Sequence, residues 1–231
     1  MPYRRAHWFL LVALAAIVAG FWPSFFASMG AGDFAHTLHG VSATLWVCAL
    51  VLQSWLIAHH HRQWHRRVAW GALVLLPVLV GSGLQMVQRM LVNTRMPPAL
   101  PPLLSWIDVC SLTFLLLLVG LGLANVRRPA AHVRLMCATV LLGLPPALTR
   151  LYARLFAPQV DFMAALHGSF VTVELACAAL IVADLRAGRR HLAWPLSLLF
   201  AGSVHASMGA VATSETWLDF TRWYVTLPIF G

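Results

Sequence analysis

The stretch Leu103-Leu104-Ser105-Trp106-Ile107-Asp108-Val109-Cys110-Ser111-Leu112-Thr113-Phe114-Leu115-Leu116-Leu117-Leu118-Val119-Gly120-Leu121-Gly122-Leu123-Ala124-Asn125 carries one charge in 23 residues. A helix of that length rises about 35 Å at 1.5 Å per residue, enough for a hydrocarbon core of about 30 Å. Comparable apolar windows fall at 7–26, 36–58, 68–91, 133–155, 163–184 and 192–212. With 60% hydrophobic and 10% charged residues overall, the 231-residue chain reads as an all-α polytopic membrane bundle of seven spans. It forms a single transmembrane domain, residues 1–231, with an interfacial aromatic tail at 213–231. Connections are short and leave no room for a soluble domain.

The net charge of +9 comes from sixteen arginines dispersed through short loops, which excludes a nucleic-acid surface and instead sets orientation. A cytoplasmic N-terminus puts eleven inside, at 4, 5, 62, 66, 67, 127, 128, 134, 186, 189 and 190, and leaves Arg89, Arg95, Arg150, Arg154 and Arg222 outside. That eleven-to-five split supports the orientation, and the expected location is the bacterial inner membrane. Tryptophans agree with the assignment: Trp22, Trp106, Trp217 and Trp223 fall at the outer boundary, Trp8, Trp55, Trp64, Trp70 and Trp194 at the inner one, and Trp46 at neither. Arg4-Arg5 before the first apolar run resembles a signal peptide, but the run continues through Phe25 and Phe26, so it reads as an uncleaved anchor.

After the first span the chain reads as three hairpins, each with a polar residue near its outer entrance and an Arg/His-rich turn. His39 leads to His65, Asp108 to His132 and His167 to His191, at intervals of 26, 24 and 24. Pro97, Pro98, Pro101 and Pro102 predict an extended outer loop, and Pro145-Pro146 a kink in the fifth span. The four cysteines are single and read as small packing residues.

Two helices share a signature, Leu38-His39-Gly40 with Thr44 and Leu166-His167-Gly168 with Thr172. Ionisable groups inside spans are rare and mark cofactor sites, ion paths or mutual pairing. His39 and His167 are therefore candidate ligands for haem b or for copper, iron or zinc, with His36 and His205 in reserve, the alternative being structural hydrogen bonds between helices. Gln85, Arg89 and Arg150 are candidates for holding propionates, a quinone or a headgroup. Asp108 reads as a partner for one of the arginines. Glu174, two turns beyond His167 and about 10 Å deeper, reads as a proton-relay residue or as a structural partner of Arg150. The tract His59-His60-His61 with His65 reads mainly as interfacial. Hydrolase signatures and phosphate-binding glycine loops are absent from the sequence.

His39-Gly40, Trp46, Gln53, His65-Arg66, His132, Arg134, Met136 and Arg150 resemble a pattern in bacterial multi-pass proteins that carry a domain of unknown function. Those proteins show His-Gly, a later Gln, His-Arg-x-x-Gly, His-x-Arg-x-Met and a downstream Arg. The resemblance covers residues 36–150, with Ala69 where the glycine after His-Arg is expected. The group is distantly similar to membrane factors that assist cytochrome oxidase maturation. The resemblance implies haem or copper handling, a respiratory complex or redox partner, and a second site at His65 and His132. The expected function is cofactor binding in the outer half of the bundle for electron transfer or oxidase assembly. A proton-linked small-solute transporter and a noncatalytic scaffold subunit are the alternatives.

Overall fold

The computed structural model describes residues 5–28 and 33–228, so Arg4 and Phe230 lie outside the described residues. Among these residues seven helical segments are long and apolar enough to cross a membrane. They are α1 (Ala6–Phe21) with a π-turn (Trp22–Phe26), α2 (Phe34–Ala58), α3 (Arg62–Leu91), α4 (Leu100–Ala124), a broken fifth span, α7 (Phe162–Arg186) and α8 (Ala193–Ala212). The chain is a multi-pass, all-α membrane bundle.

Neighbouring helices run α1, α2, α3, α4, α8, α7 in a ring that closes through α6. The fifth span crosses this ring. Its first half, α5 (Pro129–Ala138), packs on α4 and α8, and its second half, α6 (Leu144–Leu155), packs on α1 and α7. Half of this span's apolar window is buried, against 22–33% in the other six, which makes it the central helix.

The crossing is possible because the span is interrupted. Pro145 and Pro146 open α6, and their missing N–H groups leave the carbonyls of Leu141 and Leu142 without α-helical donors. The preceding Thr139–Gly143 segment tightens into a 3₁₀ turn, as the proline pair predicts. Thr139 Oγ1 donates to the Met136 carbonyl at 2.7 Å and accepts from Trp46 Nε1 at 3.2 Å. Trp46 therefore sits at neither interface because its indole ties α2 to the break.

At the arginine-rich end α5 buries Arg134 completely. Its guanidinium makes two 2.6 Å bonds to the Asp184 carboxylate on α7 and a third to the Ala130 carbonyl. A bidentate fork with extra hydrogen bonds offsets the desolvation of both charges.

At the opposite end the proline loop differs from expectation. Pro101 and Pro102 do not extend the loop; they lie in the first turn of α4, where a missing N–H costs nothing. The aromatic tail forms a further helix, α9 (Glu215–Val225), which covers the ends of α3 and α4. Trp217 Nε1 donates to the Pro102 carbonyl at 2.8 Å and Tyr224 OH to the Leu84 carbonyl at 2.9 Å.

Removing one partner of the buried pair leaves an unpaired charge in the bundle. Arg134→Met or Asp184→Leu alone should destabilise by about 3–5 kcal/mol, and the double variant should recover most of that loss. Unfolding in detergent followed by circular dichroism checks this; equal losses in single and double variants would contradict it.

Candidate functional site

The two signature helices begin in the same way. Asp33 accepts the His36 N–H at 2.9 Å to cap α2, and Asp161 accepts the Ala164 N–H at 2.7 Å to cap α7. Each aspartate is followed by Phe, and each stands six residues before its histidine. Such a cap contributes about 1 kcal/mol. That backbone bond, followed by the Arg89 charge, holds the Asp33 carboxyl below its usual range against the opposing effect of burial.

Both threonines of the signature bond their own helix. Thr44 Oγ1 donates to the Gly40 carbonyl at 2.7 Å, and Thr172 Oγ1 to the Gly168 carbonyl at 2.8 Å. The glycines differ. A Cβ on Gly40 would collide with the Phe25 ring, so the π-turn needs that space, whereas a Cβ on Gly168 would stand 3.7 Å from Tyr152 in ordinary contact.

The histidines differ more. His39 Nδ1 lies 3.4 Å from Ser82 Oγ on α3, and Ser82 continues to Ser42 Oγ at 3.4 Å. His167 Nδ1 lies 2.9 Å from His205 Nε2 on α8, and His205 Nδ1 lies 2.8 Å from Glu174 Oε1. Since α2 and α7 are not neighbours in the ring, the two imidazoles belong to separate helix seams, α2–α3 and α7–α8. The expected convergence of His39 and His167 on one cofactor is absent from the geometry. The repeated signature encodes a helix start, and the helix packed beside it decides what each histidine meets.

Glu174, His205 and His167 form one continuous hydrogen-bonded chain that descends about 10 Å along α7, from near its N-terminus toward the middle of the span. Phe170 stacks on His205 with ring centroids 5.1 Å apart and an angle of 18°, fixing the ring plane. His167 is exposed, while His205 and Glu174 are 18% and 24% exposed. Glu174 pairs with this imidazole; the alternative partner, Arg150, donates to the Pro146 carbonyl at 2.8 Å and lies over the Phe21 ring at 4.6 Å.

Asp108 makes no hydrogen bond or ion pair among the described residues. The opposite charge that acts on it is Arg150 on α6. Arg89 pairs with Asp33 at 2.9 Å, both half-exposed, rather than with Asp108. Gln85 has no hydrogen bond among the described residues; Gln88, one turn from it, holds the Tyr224 and Leu227 carbonyls at 3.1 and 2.9 Å. His36 stacks on Phe25 with centroids 6.0 Å apart.

At the arginine-rich end His65 Nδ1 lies 3.4 Å from the Gln53 carbonyl and His132 Nδ1 2.8 Å from the Gly122 carbonyl. Both histidines tie neighbouring helices. His59 returns to the Trp55 carbonyl at 2.9 Å, consistent with an interfacial tract. Among the described residues no group of three or more His, Cys, Asp and Glu side chains is arranged to hold a metal ion.

No family model matches the chain, and neither a curated protein nor a solved structure matches it.

The glycines provide a direct test of the packing account. Gly40→Ala should cost about 1–3 kcal/mol through the Phe25 clash. Gly168→Ala should be neutral or stabilising by up to about 1 kcal/mol, because alanine is the better helix former. Thermal unfolding of both variants checks this, and equal sensitivity would point instead to a shared ligand at the two positions.

Proposed function

We propose that this chain is a proton-linked membrane protein of the small-solute transporter class, in which His167, His205 and Glu174 pass protons between one side of the bilayer and its middle. The observation that carries this reading is the unbroken chain from an exposed imidazole to a recessed carboxylate. A proton taken up at His167 Nε2 releases the one on Nδ1 to His205 Nε2, and His205 Nδ1–H passes to Glu174. Each imidazole gains one proton and loses one, so the charge that moves ends on the carboxyl group. Imidazole changes charge near neutral pH, which suits it to such a step.

Asp108 and Arg150 supply opposite charges by which a small polar solute would be recognised, and the 3₁₀ break in the fifth span provides a deformable element between them and the arginine-rich end. The arginine bias supports an inner-membrane location with the N-terminus in the cytoplasm.

Cofactor ligation has less support. His39 is committed to the α2–α3 seam, and the nitrogens of His167 and His205 alone do not fill a metal's coordination shell.

Proteoliposomes with a trapped pH dye, given an imposed pH gradient, test the proposal. Glu174→Gln and His205→Ala should each slow proton entry at least roughly tenfold, the scale of losing one positioned acid–base group, and His39→Ala should leave it unchanged. Unchanged flux in Glu174→Gln would overturn the relay. A Soret band, or stoichiometric copper or zinc lost in His167→Ala and His205→Ala, would replace it with cofactor binding.

A further inference from the structure

The turn between α7 and α8 borders a half-open cavity of about 240 Å³ at the arginine-rich end. Gly188, at φ +66°, reverses the chain, and the Arg189 N–H bonds back to the Asp184 carbonyl at 2.8 Å. This closure places Arg189, Arg190 and His191 around the mouth of the cavity. Its wall is mostly apolar, with Leu185, Leu192 and Pro195 beside the Asp184 carboxylate, and Leu185 and Leu192 are 55% and 81% exposed at the level where the helices leave the membrane.

The charge balance of this end is one-sided. The chain has seven acidic residues, and Asp33, Asp108, Asp161, Glu215 and Asp219 belong to the opposite half while Glu174 lies mid-span. Asp184 is the single carboxylate here, and both of its oxygens are held by Arg134. An anion entering the cavity therefore meets two guanidinium groups and no uncompensated carboxylate. Burial first, and then the Arg134 charge, hold the His191 imidazole below its ordinary pKa, with Asp184 opposing them. The two arginines supply the charge, and the His191 ring stands beside them at the mouth.

We infer that this cavity binds the headgroup of an anionic phospholipid, with the phosphate held by Arg189 and Arg190 and an acyl chain lying along Leu185, Leu192 and Pro195. Guanidinium groups bind phosphate oxygens bidentately. Basic pockets between spans on the arginine-rich side are suited to anionic headgroups. The apolar wall distinguishes a lipid from a soluble phosphate, which would gain nothing from exposed leucines. The site is separate from the proton chain and does not depend on it.

The test uses the full-length protein in non-ionic detergent, with thermal unfolding followed as dioctanoyl phosphatidylglycerol, dioctanoyl phosphatidylcholine or glycerol 3-phosphate is added. Phosphatidylglycerol should raise the Tm, and the other two should not at equal concentration. R189Q/R190Q should need roughly tenfold more phosphatidylglycerol for the same shift, and R127Q/R128Q, in the neighbouring arginine turn, should respond as the unmodified protein does. An equal response to phosphatidylcholine, or an unchanged response in R189Q/R190Q, would overturn the inference. An equal response to glycerol 3-phosphate would make this a soluble-phosphate site. Should R189Q/R190Q fail to fold, a photoreactive phosphatidylglycerol on the unmodified protein decides. Labelling confined to the segment 181–195 supports the site, and labelling spread over other turns overturns it.

Discussion

A helix at the centre of a membrane bundle must satisfy every polar group it carries, and the Arg134–Asp184 pair is how the fifth span meets that constraint. The effective penalty for burying each ion is several kcal/mol even after relaxation. Arg134 is fully buried, so its position holds only with a carboxylate on α7 within direct reach. The pair fixes the depth and rotation of α5 against α7. The proline-driven 3₁₀ turn then lets the same span leave the centre and rejoin the wall as α6. At that wall Gly20 lets the α1 backbone approach Ala147 directly, because any Cβ there would strike it.

With the centre filled by the fifth span, the remaining polar side chains are sorted into seams between neighbours. The α2–α3 seam takes His39, Ser42 and Ser82; the α7–α8 seam takes His167, His205 and Glu174. Only the second seam joins groups that exchange protons readily into an uninterrupted series. The first ends in hydroxyls, which tie helices together without a titratable terminus. Two helices with the same opening grammar, an aspartate cap, a histidine two turns on and a threonine five residues later, thus acquire different chemistry from their partners.

The spans, their number and the break at Pro145-Pro146 were legible because hydropathy and proline act locally along the chain. The seams were not, because helices α2 and α7 carry little amphipathic signal: lipid and protein interior are equally apolar, so sequence periodicity does not say which face meets which helix. Asp33 and Asp161, each three residues before the N–H it caps, could have been found from the aspartate-to-helix spacing. Gln88 and Asp184 gave no such sign. Gln88 works through backbone carbonyls at and just beyond the end of α9, and Asp184 is defined by an arginine fifty residues earlier. Asp108 reads from the sequence as a partner for an arginine, but that Arg150 is the charge acting on it depends on the order in which the helices close.

The central claim is that His167 and His205 share a proton with Glu174 behind them. Solid-state NMR of the ¹⁵N-histidine-labelled protein in lipid tests it through the scalar coupling that crosses an N–H···N hydrogen bond. The account predicts coupling between His167 Nδ1 and His205 Nε2 that disappears in His205→Ala, together with a change in the His205 signals in Glu174→Gln. Two uncoupled imidazoles, each indifferent to Glu174, would contradict it.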